Sequence, residues 1–488
     1  MKLTIKNIPV EKIKADVLVF PVLENGFPEN LAIIDLLVGG LIKKLFKSKE
    51  FTGKHGSNTL LHFSNISADR ILLTGLGKQL DITPEIIRQA GGRAFSFLKT
   101  LGVENIALGF KEINSLLSNL SMQHKPSSYF LEGGLLSLYS FNKYKKPDDL
   151  KQISNIVILG DEDENSLRWI DATVSATKFA RDLINTPSND MTPAVLAETA
   201  HSLASSNVRI NVLNTKESMQ EGMHAFLSVA RGSAQMPKFI VLNYKGDKGD
   251  PYVLIGKSIT FDSGGISLKP SAGMEKMKYD MAGGAVTLSV IKAASRLELP
   301  VNIIGILPAA ENMPGGNASK PGDIVTSITG KTIEIVNTDA EGRLAIADAI
   351  GYAIKHFKPK GIIDIATLTG ACRITFGNEA VAMMGNNQDL MEKLKKASEE
   401  TYERVWQMPL YDEYKDYIKS DIADIKNSGG KNAALLTAGF FLKEFADNTP
   451  WVHLDIAGVA WNDKEKPYLS KGATGIGVRL ILNFLKEN

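Results

Sequence analysis

The sequence predicts an α/β protein of two domains, the smaller one N-terminal and the larger one built on a mixed sheet flanked by helices. Three observations carry that expectation. The chain has 488 residues, too many for one hydrophobic core and close to the length of two or three average domains. Short apolar runs alternate along it with amphipathic stretches of helical period. A long amphipathic stretch at 163–185, free of Gly and Pro, separates an early block of this alternation from a later one.

Taken in order, the first residues alternate polar and apolar and read as a strand, not as the unbroken apolar segment of a signal peptide. Strands are expected at 15–20, 70–74, 105–109 and 156–159, with a helix at 85–101 between the second and third. Gly75-Leu-Gly77-Lys78 lies between a strand and a helix, where a phosphate loop would sit, but it lacks the spacing and hydroxyl of a Walker motif and reads as a plain turn. The stretch at 163–185 places Leu167, Ile170, Val174, Thr177 and Leu183 or Ile184 on one face and stops at Asn185-Thr-Pro187. The expected domains are therefore 1–162 and 191–488, joined by a connecting helix and linker at 163–190. In the second domain, strands at 238–242, 252–255, 301–307, 332–336, 361–365 and 453–456 alternate with helices at 284–296, 344–357 and 434–445. Chemistry is expected in loops at the carboxyl ends of the strands.

Composition narrows the chemistry. The single Cys372 forms no internal disulfide and excludes a multi-thiolate zinc site. None of the seven histidines pairs with another at ligand spacing, so a histidine-based zinc site has no support and each histidine reads as structural. No apolar run approaches the roughly 20 residues of a membrane span, so no membrane partner is expected and the expected location is cytoplasmic. Residues 1–160 hold 20 Lys+Arg and 14 Asp+Glu, and the remainder holds 36 and 40, so a net charge of +2 splits into +6 and −4. The basic front contains no basic run and reads first as a solvated surface, leaving nucleic-acid contact open.

Carboxylates and lysines gather at the predicted strand ends of the acidic part. Lys257 follows one strand and Asp262-Ser-Gly-Gly265 comes shortly after, with glycines that suit a sharp bend beside a ligand. Lys269 is next, and Asp280 stands at the entrance of a helix, where alone it would read as an N-cap. Asn337-Thr-Asp339-Ala-Glu341-Gly-Arg343-Leu344 links a strand to an amphipathic helix. If that segment is extended, Asp339 and Glu341 point the same way. Each carboxylate taken singly reads as surface charge. Four brought to one sheet edge repel unless cations neutralise them, and two divalent ions about 3.5 to 4 Å apart match their charge. A neighbouring lysine either stays charged or donates a neutral amine, and the helix start beside Arg343 suits an anion.

Asn337 to Leu344, together with Gly256-Lys-Ser-Ile-Thr-Phe-Asp-Ser-Gly-Gly-Ile-Ser-Leu-Lys-Pro270 and Met277-Lys-Tyr-Asp-Met-Ala-Gly283, closely resembles the leucyl aminopeptidase family of dinuclear metallo-exopeptidases. Arg181 to Pro187, Ala366 to Ala371, Leu454 to Gly458 and Lys471 to Gly475 agree as well. The resemblance implies a macro-like first domain and a catalytic second domain. It implies that Lys257, Asp262, Asp280, Asp339 and Glu341 hold two divalent ions, Zn or Mn with Mg as the alternative, Asp262 and Glu341 bridging and Lys257 binding as a neutral amine. Lys269 would polarise the scissile carbonyl, and Arg343 would hold bicarbonate as general base. A water bridging the metals would attack the first peptide bond of short peptides with a free N-terminus, releasing Leu or Met preferentially. Met277, Thr367, Gly370, Ala457 and Ala460 would line the pocket for the first side chain, and the assembly would be a homohexamer of two stacked trimers. A dinuclear phosphoesterase is the alternative from the metal shell alone, and DNA binding through the basic first domain is the alternative of a different class.

Overall fold

The computed structural model describes residues 1–24, 27, 31–63, 66–118, 120, 122–146, 152–160 and 162–488. The chain divides into two compact units, Met1–Val174 with Lys464–Ser470, and Ser175–Asp463 with Lys471–Asn488. The amphipathic helix Glu164–Asn185 contributes to both.

In the first unit the apolar runs form six strands: β1 (Lys2–Lys6), β2 (Val17–Leu23), β3 (Asn58–His62), β4 (Arg70–Gly77), β5 (Asn105–Gly109) and β6 (Asn155–Leu159). Their order across the sheet is β1-β6-β5-β2-β4-β3, and every pairing is parallel except β3 with β4. β2 and β4 are buried along nearly their whole length, as strands covered on both faces must be. One face packs on the helices Pro84–Thr100 and Pro126–Ser137 through Ile87, Phe95, Leu98 and Phe130, and the other is covered by Leu31, Ile34, Ile42 and Phe51. Thr83 caps the first of these helices, its Oγ1 accepting from Ile86 N at 3.2 Å. The distant segment Lys464–Ser470 completes this unit. The Tyr468 hydroxyl bonds both carboxylate oxygens of Glu85, at 3.0 and 2.8 Å, and the Pro467 carbonyl lies against Gly92, where a Cβ would stand 2.4 Å from it.

The second unit holds a mixed nine-stranded sheet, a small three-stranded one and a two-stranded pairing of Trp461–Asn462 with Gly472–Ala473. In chain order the strands of the first two are β7 (Val208–Leu213), β8 (Lys238–Tyr244), β9 (Tyr252–Gly256), β10 (Ser258–Asp262), β11 (Ile303–Asn312), β12 (Ile324–Thr326), β13 (Thr332–Glu334), β14 (Gly361–Ala366), β15 (Val381–Gly385), β16 (Val405–Gln407), β17 (Ile425–Lys426) and β18 (Trp451–Asp455). The large sheet runs β16-β15-β18-β14-β9-β11-β8-β7, with β10 continuing the line of β9 alongside the end of β11. β18, β14, β9 and β11 are mutually parallel, so their carboxyl ends share one edge. Val253, Ile255, Ile304, Ile306 and Ile362 turn one face toward the helices Gly342–His356 and Ala434–Ala446. Gly305 turns the other way, toward Ile291 of the helix Ala282–Leu297. The alternation along the strands thus covers both faces with helices.

Two expectations need correction. The strand expected to stop at 307 runs on to Asn312. Pro308 falls in the gap between the β9 ladder, which ends at Ile306, and the β10 ladder, which begins at Ala309, where a missing amide hydrogen is best tolerated. The strand expected at 332–336 stops at Glu334, because Asn427 Oδ1 accepts the Val336 and Asn337 amides at 2.9 and 3.3 Å and turns the chain. Asp339 and Glu341 therefore do not share the side of an extended strand. Asp339 lies in the turn, and Glu341 is the N-cap of Gly342–His356 in helical backbone geometry.

That helix is pinned from within by Asp348, which is fully buried. Its carboxylate accepts the amides of Phe226 and Ile328, both at 2.8 Å. Burial pushes the group up to about 7, against the pull of these backbone donors. A carboxyl raised in the folded state binds its proton more tightly there than in the unfolded chain, so its contribution weakens as pH rises from about 4 to about 7. Over that window the unfolding midpoint of wild type is expected to fall relative to that of Asp348→Asn. Parallel midpoint curves would remove this role.

Candidate metal centre and active site

The site forms where the parallel strands end. β9 and β10 are one line of chain broken at Lys257, whose amide donates to Ile365 O at 3.0 Å and whose carbonyl accepts from Gly284 N at 2.9 Å. That break sends the Lys257 side chain inward beneath the start of Gly342–His356. The approach needs Gly342, since a Cβ there would stand 2.5 Å from Lys257 Cε. Beyond β10 the chain reverses through Gly264 and Gly265, with φ of 87° and 65°, a left-handed pair that glycine adopts without strain. The reversal brings Lys269 back over Asp262.

The lysines and carboxylates sort into two groups. Lys257 Nζ lies 2.7 Å from Asp280 and 2.8 Å from Glu341, and Lys269 Nζ lies 2.8 Å from Asp262 and 2.5 Å from Asp339. Carboxylate oxygens of Asp262, Asp280 and Glu341 fall within 4.8 Å of one another, which joins the groups into one cluster. Asp262, Asp280, Glu341 and Lys257 are all buried, and Lys269 keeps part of its side chain open to solvent. The four carboxylates and Lys257 expected from the sequence therefore meet, with Lys269 beside them.

Electrostatics shows how crowded the cluster is. Burial, reinforced by Glu341, pushes Asp262 up to about 6. Asp280 is raised well above the ordinary carboxylate range by burial, with Glu341 and Asp262 adding to it against Lys257. Burial also raises Asp339, Lys269 opposing it. Burial pushes Glu341 upward too, but Lys257 and Lys269 outweigh it and hold this carboxyl low. Burial disfavours the Lys257 ammonium, yet Asp280, Glu341 and Asp262 overcome that and hold it charged. Two lysines leave four carboxylates with a formal charge of −2. Asp280 Oδ2, Glu341 Oε1 and Asp339 Oδ1 are each held 2.5 to 2.8 Å from a lysine ammonium. An oxygen-rich, largely buried set that keeps a net negative charge after its two lysines fits divalent cations.

Arg343 is buried on the first turn of the helix, its Nη1 donating to Asn427 O at 2.8 Å and its Nε left without a partner. Burial pushes the guanidinium down to about 10, with Glu341, Asp455 and Asp339 opposing. Among the expected pocket residues, Thr367 reaches the cluster directly, its Oγ1 donating to Asp280 Oδ1 at 2.7 Å and its carbonyl accepting from Lys257 Nζ at 3.0 Å. Gly370 is exposed at the start of the helix Gly370–Phe376. Ala457 packs in a small apolar cluster with Cys372, Ala382, Met384 and Leu435. Met277 is half-buried three residues before Asp280, and Ala460 is buried in the turn after β18.

Sequence reading missed the residues that hold the clustered side chains in place. Asn312, at the end of β11, donates to Asp262 Oδ1 at 2.8 Å and to Thr338 O at 3.1 Å. Asn427 donates to Asn337 O at 2.7 Å and Ala340 O at 3.3 Å, shaping the turn that carries Asp339. Neither announces itself, because an Asn before Ser-Gly-Gly reads as a surface turn and one at a strand end as a cap.

Residues 178–482 match the catalytic domain of the cytosol aminopeptidase family, and residues 17–148 match its N-terminal domain. A probable cytosol aminopeptidase of Geobacter sp. (strain M21) is 46% identical over 93% of this chain and 93% of its own. The cytosol aminopeptidase of Pseudomonas aeruginosa PAO1 is 41% identical over 100% of this chain and 99% of its own. Among solved structures, a mutant of tomato leucine aminopeptidase superposes with a TM-score of 0.88 at 32% identity, covering 100% of this chain and 97% of that one. The bottromycin maturation enzyme BotP in complex with Mn gives 0.86 at 28% identity, covering 97% and 99%. Fold and family together define a metal-dependent peptide hydrolase. The chain belongs to the cytosol aminopeptidase family and is an aminopeptidase. The relatives' name carries the cytosolic location expected from the sequence, and among the described residues no helix is long and apolar enough to cross a membrane.

Proposed function

We propose that the enzyme releases N-terminal residues, Leu or Met preferentially, from short peptides, using two divalent ions held by Lys257, Asp262, Asp280, Asp339 and Glu341. The observation that supports this best is the buried cluster of four carboxylates against two lysines. The family resemblance gives Asp262 and Glu341 the role of ligands common to both ions, and Lys257 would bind as a neutral amine. Zn²⁺ or Mn²⁺ is the expected occupant, with Mg²⁺ the alternative. Bound there, such ions supply an acidified water and a Lewis acid for the peptide carbonyl.

The remaining steps belong to side chains of this chain. Lys269, partly open to solvent, is placed to donate to the scissile carbonyl and to stabilise the oxyanion that forms on it. Arg343, with an unpaired Nε, would hold bicarbonate as the general base that carries the proton to the leaving amine. Thr367, Gly370, Ala457, Ala460 and Met277 would bound an apolar pocket for the first side chain. The catalytic work is assigned to 191–488, with 1–162 and the 163–190 connection supporting assembly. A homohexamer is the proposed state, and exposed Leu268, Trp406, Tyr411 and Ile422 give it apolar surface to cover. The family match supports the peptidase reading and adds nothing to the DNA-binding alternative.

The test is hydrolysis of leucine p-nitroanilide by wild type and Asp339→Asn with Zn²⁺, Mn²⁺ or Mg²⁺ added. Wild type should need added or retained metal, and the variant should lose activity and part of its metal content. An Asn variant with wild-type activity and metal content would sink the dinuclear reading.

A further inference from the structure

The loop 367–370 touches both the metal ligands and the expected substrate pocket, so whatever fixes it controls both. The anchor is Asp455, the last residue of β18, fully buried. Its Oδ1 accepts the amides of Leu368 and Ala457 at 3.2 and 3.1 Å, and its Oδ2 accepts the Thr369 hydroxyl at 2.7 Å. Thr369 Oγ1 in turn accepts the Cys372 amide at 3.0 Å, capping the helix Gly370–Phe376, and the Cys372 thiol donates to Asp455 O at 3.3 Å. The strands beneath are in register, Ala366 opposite Asp455. All the hydrogen bonds to this carboxylate come from neutral donors, an arrangement that makes burying a charge costly. An asparagine could accept two of them and donate in place of the third, so a loss of geometry and a loss of charge can be separated here.

We propose that Asp455 is a positioning residue for the reaction, holding the loop 367–370 so that Thr367 keeps Lys257 and Asp280 in ligand geometry while Gly370 and Ala457 keep the pocket wall in place. The inference rests on the dinuclear reading above. It predicts an asymmetric effect, because the loop meets the Lys257 and Asp280 group, whereas Asp262 is held from the opposite side by Asn312 and the Gly264 amide.

The experiment adds Mn²⁺ alone to chelator-stripped full-length protein and follows binding by calorimetry, with kcat and KM measured on leucine and alanine p-nitroanilide. Asp455→Ala should weaken one of two Mn²⁺ ions by about 10- to 100-fold, the scale for loss of a residue supporting a ligand, and leave the other near wild type. The preference for leucine over alanine should fall with it. Asp455→Asn should restore both. If Asp455→Ala does not fold, Thr369→Val removes one bond to Asp455 together with the cap on the Cys372 amide, leaves the Leu368 and Ala457 bonds, and should move both readouts in the same direction by less. Wild-type affinities and preference in Asp455→Ala would overturn the proposal, as would equal weakening of both ions with the preference intact, the pattern of general loosening. A wild type that binds only one Mn²⁺ would overturn the dinuclear reading, and the leucine-to-alanine preference, lost in Asp455→Ala and kept in Asp455→Asn, would still decide this one.

Discussion

Lys269→Ala should lower kcat on leucine p-nitroanilide by about 100- to 1,000-fold, the cost of removing one preorganised oxyanion donor, while metal content stays near wild type. The expectation comes from where Lys269 stands. It closes one side of the cluster against Asp262 and Asp339 and is the cluster lysine left partly open to solvent, whereas Lys257 is enclosed between Asp280 and Glu341. Burial alone would favour the neutral amine of Lys269, but Asp262, Glu341 and Asp339 hold it protonated, so in the proposed role it would meet the substrate as a donor. A group that acts on charge developing in the transition state changes kcat more than KM. If the variant shows raised KM with unchanged kcat, Lys269 binds substrate without stabilising the oxyanion.

Asp262→Asn should abolish the stabilisation that Mn²⁺ gives against heat and lower activity by more than about 100-fold, since loss of a residue one layer further out already costs up to that much. Asp262 is the carboxylate common to both halves of the cluster, paired with Lys269 and within reach of Asp280 and Glu341. Its Oδ1 is fixed by Asn312 and by the Gly264 amide at 2.9 Å, so the amide of the variant keeps the shape and loses the charge. A ligand that binds only the folded state raises stability by about 4 kcal/mol at a thousandfold excess over its Kd, enough to read as a shift in the unfolding midpoint. A variant that retained the full Mn²⁺-induced shift would remove Asp262 from the metal set.

Most of the fold was legible because its signals are local. The strand at 105–109 stands where the apolar run places it, and the helices expected at 85–101 and 434–445 run over Pro84–Thr100 and Ala434–Ala446. The gathering of carboxylates and lysines was legible too, since Gly-rich bends beside carboxylates at strand ends mark a site even before a family resemblance is weighed. What was hidden depends on contacts between distant parts of the chain. Asp339 and Glu341 could not be placed by strand alternation because Asn427, about 90 residues on, bends the segment that carries them by bonding Val336, Asn337 and Ala340. Asp455 lies in a segment that shares the family resemblance, but its role is hidden, because its partners Leu368 and Thr369 become neighbours only when β14 and β18 pair.

The excursion at Lys464–Ser470 bears on the order in which the protein is made. Synthesis runs from the N-terminus, and a domain usually folds once its last residue has emerged. Here the first unit is not complete when Val174 leaves the ribosome, because the hydroxyl that bonds Glu85 and the carbonyl that seats against Gly92 arrive with Tyr468 and Pro467. The first unit can begin folding ahead of the second, yet it is finished only after the second unit has been made as far as Asp463.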